Sequence, residues 1–165
     1  MERCPAIPCS DTEAAQIFDN ARAGKAATPE EKEKFTFYPM VFFGQLDAAK
    51  GWTKQLHLGC FRNTNSRMFG KLGPDAGYDT VGDYDQGRSM VTYLDALAKI
   101  DALPKMVLYN LNPRDNYLFA AMTGAFQDGT TPGKIQFGSG WWFLDQKEGM
   151  EMQLNALSQT GLLSR

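Results

Sequence analysis

The stretch MVTYLDALAKIDALPKMVLYNLNP, Met90 to Pro113, decides the fold class. In its first half Met90, Tyr93, Leu94, Leu97 and Ile100 recur at i, i+3, i+4 spacing and line one face of a helix. Pro104 has no backbone N–H to continue such a helix and closes the segment. Met106 to Leu111 then run almost without interruption in apolar character, as a strand buried in a sheet does. Asn112 and Pro113 follow as cap and first residue of a further helix, predicted to reach Ala125. Helix, strand and helix in one short stretch mark an α/β protein.

The same rhythm recurs on both sides. Upstream, Lys54 to Leu58 is a short strand, and a polar, glycine-rich loop from Gly59 to about Asp85 separates it from the Met90 helix. Downstream, Lys134 to Phe137 is a third strand. Asp145 then caps a last helix whose Met150, Leu154 and Leu157 share a face, with Gly161 as its stop. Strands alternating with helices call for parallel pairing through crossover helices. Residues 52–165 therefore read as about three βα units, and residues 1–51 as two leading helices with no strand before them. Ser10-Asp11-Thr12-Glu13 is a capping box, with Gly24 where that helix stops. Thr28-Pro29-Glu30-Glu31 is a second box, with proline at the first helical position and a helix running to Lys50 and Gly51. Three βα units suit an open doubly wound sheet or part of a barrel. A closed eight-stranded barrel takes about 250 residues, more than the 165 present. Three strands also leave two sheet edges unpaired, so self-association through those edges is expected.

Bulk composition excludes several function classes. Hydrophobic residues make up 43% and charged residues 22%, the balance of a globular protein. Lys and Arg total 17 against 19 Asp and Glu, a formal charge of −2, which speaks against nucleic acid or an anionic membrane as partner. No run approaches the roughly 18 apolar residues of a membrane helix, and the polar Met1-Glu2-Arg3-Cys4-Pro5 start has no signal-peptide character. The three cysteines, Cys4, Cys9 and Cys60, read as reduced thiols of a cytoplasmic protein. Cys4 and Cys9 have no nearby histidine to complete a zinc set.

Residues suited to chemistry gather after the strands. His57, the only histidine, lies near the end of the first strand with Gln55 on its own face by the period of two. It reads either as a packed, hydrogen-bonded histidine or as a catalytic group at the carboxyl end of a strand. A lone histidine cannot supply a hydrolytic zinc site, which needs two or three. Arg62 and Arg67, with Asn63 and Asn65, follow in a loop suited to a carboxylate or polyhydroxylated ligand, or simply solvated. Asn112 and Arg114 raise the same question after the second strand, where helix capping also explains Asn112. After the third strand comes Gly138-Ser139-Gly140-Trp141-Trp142, in which glycines admit a close ligand and a tryptophan lines a sugar's apolar face, unless both rings pack into the core. Phosphate-loop readings fail, because Phe143 stands where a dinucleotide fingerprint needs glycine and Gly129 is one residue too close to Gly133-Lys134.

Taken together these segments resemble the uronate isomerase family of the amidohydrolase superfamily. The resemblance runs through Gln55-Leu56-His57-Leu58-Gly59, Arg62 to Phe69, Leu72-Gly73-Pro74-Asp75, Leu108 to Pro113 and Lys134 to Phe143, and is densest from about residue 51 onward. It implies an arc of a (β/α)₈ TIM barrel, roughly its fifth to seventh strands. It also implies an aldose–ketose isomerase of hexuronic acids, taking D-glucuronate to D-fructuronate and D-galacturonate to D-tagaturonate. On this resemblance His57 is the active-site histidine and Trp141 lines the substrate, with Arg62, Asn112 and Arg114 as further substrate-binding candidates. The family carries a divalent metal, zinc being the expected ion. Its His-x-His pair and metal-binding Asp have no counterpart here, so no metal ligand is assigned, and the chain is expected to be a partial isomerase, inactive alone. A non-catalytic sugar-acid-binding or self-associating α/β module is the alternative, and an unrelated open-sheet enzyme a third.

Overall fold

The computed structural model describes residues 1–161. Its first helices, α1 (Asp11–Arg22) and α2 (Pro29–Lys50), start where the capping boxes lie. In each box the hydroxyl of Ser10 or Thr28 accepts the backbone N–H of the glutamate three residues on. That glutamate's carboxylate accepts the cap N–H in return, at 2.9 Å for Ser10 and 2.7 Å for Thr28. Orphan donors at the helix start are thereby satisfied. α2 ends at Gly51, whose φ of 67° is the left-handed conformation glycine adopts without penalty.

β1 (Thr53–Leu58) follows directly. The segment after it, expected to be loop, contains three short elements. β2 (Cys60–Phe61) pairs antiparallel with β3 (Thr80–Val81), and α3 (Ser66–Leu72) lies between them, capped by the Asn65 side chain. α3 buries no residue, so no apolar period announces it. α4 (Gly87–Ala98) leads to β4 (Lys105–Asn110). A 3₁₀ turn over Pro113–Asp115 opens α5 (Asn116–Ala125), which leads to β5 (Ile135–Phe137). A second 3₁₀ turn, Trp142–Leu144, precedes α6 (Lys147–Leu157).

β1, β4 and β5 form one parallel sheet in the order β1-β4-β5, the order in which the chain reaches them. Leu56, Leu58, Met106, Leu108, Ile135 and Phe137 point from one face into the core, where α2, α4 and α5 supply Phe37, Met90, Tyr93, Leu94, Leu97 and Phe119. The opposite face carries no helix among the described residues. Gln55, His57 and Gln136 are exposed there, and Val107 and Tyr109 only half-buried. Met1 and Glu2 run beside the end of β1, their carbonyls accepting from Gly59 N–H while the Met1 amino group donates to the His57 carbonyl. One end of the β1 edge is therefore paired.

Three helix expectations need correction. Ile100 is exposed, because α4 stops at Ala98 before the periodic face reaches it. Gln146 rather than Asp145 caps α6, its side-chain oxygen accepting the Glu148 N–H. The buried face of α6 is Gly149, Gln153 and Ala156, leaving Met150 and Leu154 exposed and Leu157 half-buried. Close approach explains the choice of face: a Cβ on Gly149 would lie 2.5 Å from the Leu144 carbonyl oxygen. No helix among the described residues is long and apolar enough to cross a membrane.

Candidate active site

Alternation along a strand puts Gln55 and His57 on the helix-free face, and parallel register places Tyr109 of β4 directly beside His57. The two rings stack at 4.3 Å between centroids with no angle between their planes. Trp141 closes a further side, edge-on to the imidazole at 4.8 Å and 81°. The Tyr109 hydroxyl donates to Gln55 Oε1 at 3.0 Å. His57 and Tyr109 both sit one residue before the carboxyl ends of their strands, and Trp141 lies just beyond that end of β5. Carboxyl ends of parallel strands are where α/β folds collect their ligands. Partial desolvation lowers the His57 pKa, and the nearby Met1 amino group lowers it further. Its imidazole nitrogens have no hydrogen-bond partner among the described residues.

The glycines after β5 do not open space for a ligand. Gly138 makes room for Tyr109, since a Cβ there would lie 2.4 Å from two carbons of the ring. Gly140 makes room for the Leu144 carbonyl, 2.6 Å from a Cβ built on it. Trp142 has a φ of 52°, a left-handed backbone that bulky residues rarely adopt. In that conformation its ring lies on Phe143 at 5.0 Å and under the Arg62 guanidinium at 5.3 Å, more than a third exposed rather than in the core.

The other expected contacts are placed differently. Arg62 donates to Asp75 at 3.2 Å and to the buried Asp79 at 3.3 Å, so its guanidinium already faces two carboxylates. Asn112 has both polar ends engaged: Oδ1 accepts the Arg114 N–H at 3.1 Å and Nδ2 donates to the Gly82 carbonyl at 2.8 Å. Arg114 donates to Asp115 and to the Tyr84 carbonyl. These residues tie the loop after β4 to the β2–β3 ribbon. The structure thus joins His57 to Trp141, and Arg62 to the neighbouring Trp142, while Asn112 and Arg114 hydrogen-bond to the carbonyls of Gly82 and Tyr84.

Tyr109 and Gln55 complete the cluster. Gln55 was legible as a residue sharing the His57 face. Tyr109 was hidden inside an apolar run, and only register with β1 brings it to His57. Among the described residues no three His, Cys, Asp or Glu side chains converge to hold a metal ion. The described residues therefore do not by themselves fit the divalent metal that the resemblance implies.

Comparison with known proteins gives the arrangement its context. The chain is 62% identical along its whole length to a uronate isomerase of Opitutus terrae, covering 35% of that protein. It is 60% identical over 156 residues to a uronate isomerase of Solibacter usitatus, covering 33% of it. The chain thus spans about a third of the length of the curated relatives it matches. The crystal structure of a uronate isomerase from Thermotoga maritima superposes with a TM-score of 0.83 at 28% identity, over 98% of this chain and 35% of that one. The family model described as glucuronate isomerase matches residues 1–165. Because that match takes in the whole length rather than a few short motifs, the chain belongs to the glucuronate isomerase family.

Proposed function

We propose that this chain contributes one arc of a (β/α)₈ barrel and part of the active site of a hexuronate aldose–ketose isomerase. Strand order supports the barrel arc. Each parallel strand lies beside the one before it, with helices against one face only. An open doubly wound sheet carries helices on both faces and reverses its strand order at a switch point. The helix-free face then belongs to the barrel interior, and the carboxyl ends of β1, β4 and β5 to the catalytic end.

The observation that carries the functional reading is His57 itself: an imidazole at that end, with no hydrogen-bond partner for its ring nitrogens among the described residues and aromatic rings on two sides, its pKa lowered by partial desolvation. Aldose–ketose isomerisation removes the proton from C2 and returns one to C1 through an enediol, while a hydroxyl proton passes between O2 and O1. A neutral imidazole accepts and returns such a proton at neutral pH. Trp141 offers its face to the apolar side of the sugar. Arg62, its charge opposed by Asp75 and Asp79, orients the hexuronate from the side, and Asn112 and Arg114 fix the loop that borders it. A divalent metal, if the whole enzyme binds one, would supply oxyanion stabilisation, and the described residues of this chain would not hold it.

A chimera tests the reading. Residues 1–165 replace the matching segment of the Opitutus terrae relative, and conversion of D-glucuronate to D-fructuronate is followed. The chimera is expected to be active, and His57→Ala to lower kcat at least on the order of a hundredfold, the range of a lost acid–base group. A folded but inactive chimera, or an unaffected His57→Ala variant, refutes the assignment.

A further inference from the structure

The ring beside His57 is held from three directions. β1 and β4 set Tyr109 in register with His57. Gln55, two residues earlier on the same face of β1, accepts the Tyr109 hydroxyl hydrogen bond at 3.0 Å and fixes the ring along the strand. On the far side β5 continues the ladder, with Gly138 N–H donating to the Leu108 carbonyl at 2.8 Å. Gly138 thus flanks Tyr109 where any Cβ would fall 2.4 Å from two carbons of the phenol ring. The imidazole rests flat against this seated ring and edge-on to Trp141.

A histidine anchored by hydrogen bonds gives up at least one ring nitrogen to its anchor. His57 is held instead by stacking on one face and by its T-shaped contact with Trp141, so its plane is fixed while its nitrogens have no partner among the described residues and stay open to a ligand. We propose that Tyr109 is the positioning residue for His57, and that Gln55 and Gly138 exist at their places to seat it. This rests on the reading of His57 as a site residue. Tyr109 does not touch the reacting atoms. It restricts the imidazole to the plane from which proton transfer occurs, and misplacement of such a group by about 1 Å costs on the order of a hundredfold in rate.

Because His57 is the only histidine, its two ring C–H resonances are unambiguous in a proton–carbon NMR spectrum of the 165-residue chain. Stacking on Tyr109 is expected to displace both upfield of a free histidine. Tyr109→Phe keeps a ring in the seat and is expected to keep the displacement. Tyr109→Leu removes the ring, Gly138→Ala evicts it, and both are expected to return the resonances toward the free position. The backbone amide spectrum reports whether each variant folds, and Gly138→Ala stands in where Tyr109→Leu does not. In the chimera, Tyr109→Leu is expected to lower kcat tenfold or more with KM within about twofold, and Tyr109→Phe to restore it. Resonances unmoved by Tyr109→Leu and Gly138→Ala, or moved equally by Tyr109→Phe, overturn the proposal. So does an unchanged kcat. An inactive parent chimera counts against the isomerase reading alone, because the NMR outcome is read without turnover.

Discussion

At the scale of single residues, environment separates groups that composition treats alike. Of the three thiols, Cys4 is fully buried, and burial together with the Glu33 carboxylate pushes it up to about 12. Cys60 is also buried, whereas Cys9 is half-exposed beside Ser10. A thiol-alkylating reagent at neutral pH is expected to label Cys9 first, and Cys4 only once the chain unfolds. Mass mapping of the labelled sites checks this, and labelling of Cys4 as fast as Cys9 would mean the first residues do not dock on α2. Glu13 behaves in the opposite sense. Hydrogen bonds from the Ser10 backbone and hydroxyl, and then Lys34, lower its carboxyl to about 2 from the ordinary 4.5. The folded value lies below the unfolded one, so this carboxylate stabilises the fold above about pH 4.5 and the contribution fades as pH falls toward 2. Ser10→Ala is expected to cost about 1 kcal/mol at neutral pH and to flatten that stretch of the stability–pH curve, measured by urea titration.

At the scale of elements, α2 and α4 meet at Gly44. A Cβ there would lie 2.7 and 2.9 Å from the terminal carbons of Leu97 and 3.2 Å from the Tyr93 hydroxyl, and both neighbours are fully buried. Gly44→Val is expected to destabilise the chain by about 2 kcal/mol through overpacking. Gly44→Ala should cost less, since alanine's better helix propensity offsets about 1 kcal/mol; the urea midpoints of the two variants decide. Elements whose signal is local were legible in advance. The capping boxes at Ser10 and Thr28, the apolar run of β4 and the Met90–Leu97 face all depend on neighbours in sequence. The β2–β3 ribbon was not legible, because its two-residue strands pair across an intervening helix and carry no period of their own. α6 misled for a related reason: its apolar face is real, but Gly149 and Ala156 let the other face approach the core more closely.

At the scale of the whole molecule, the sheet has one covered face and one face that is bare among the described residues, and β5 and most of β1 present edges with no partner strand among those residues. Unsatisfied strand edges on β1 and β5, together with half-buried Val107 and Tyr109 on the bare face of the central strand, favour pairing with another copy. Sedimentation equilibrium is expected to show an apparent mass that rises with concentration, and a strictly monomeric chain at all concentrations would refute it. A plateau at one small multiple would instead favour a defined self-associating module. By itself the sequence determined the α/β class, the leading helices, the three strands of the parallel sheet, and the place of His57 near the end of the first and of Trp141 after the third, because hydrophobic period, caps and turns are properties of neighbouring residues. Tertiary structure alone decided that Tyr109 lies flat on His57, that Gly138 makes room for it, and that Arg62, Asn112 and Arg114 are engaged with Asp79, Gly82 and Tyr84. Those relations depend on strand register and loop closure between residues far apart in the chain, and no local pattern encodes which distant partner a side chain will meet.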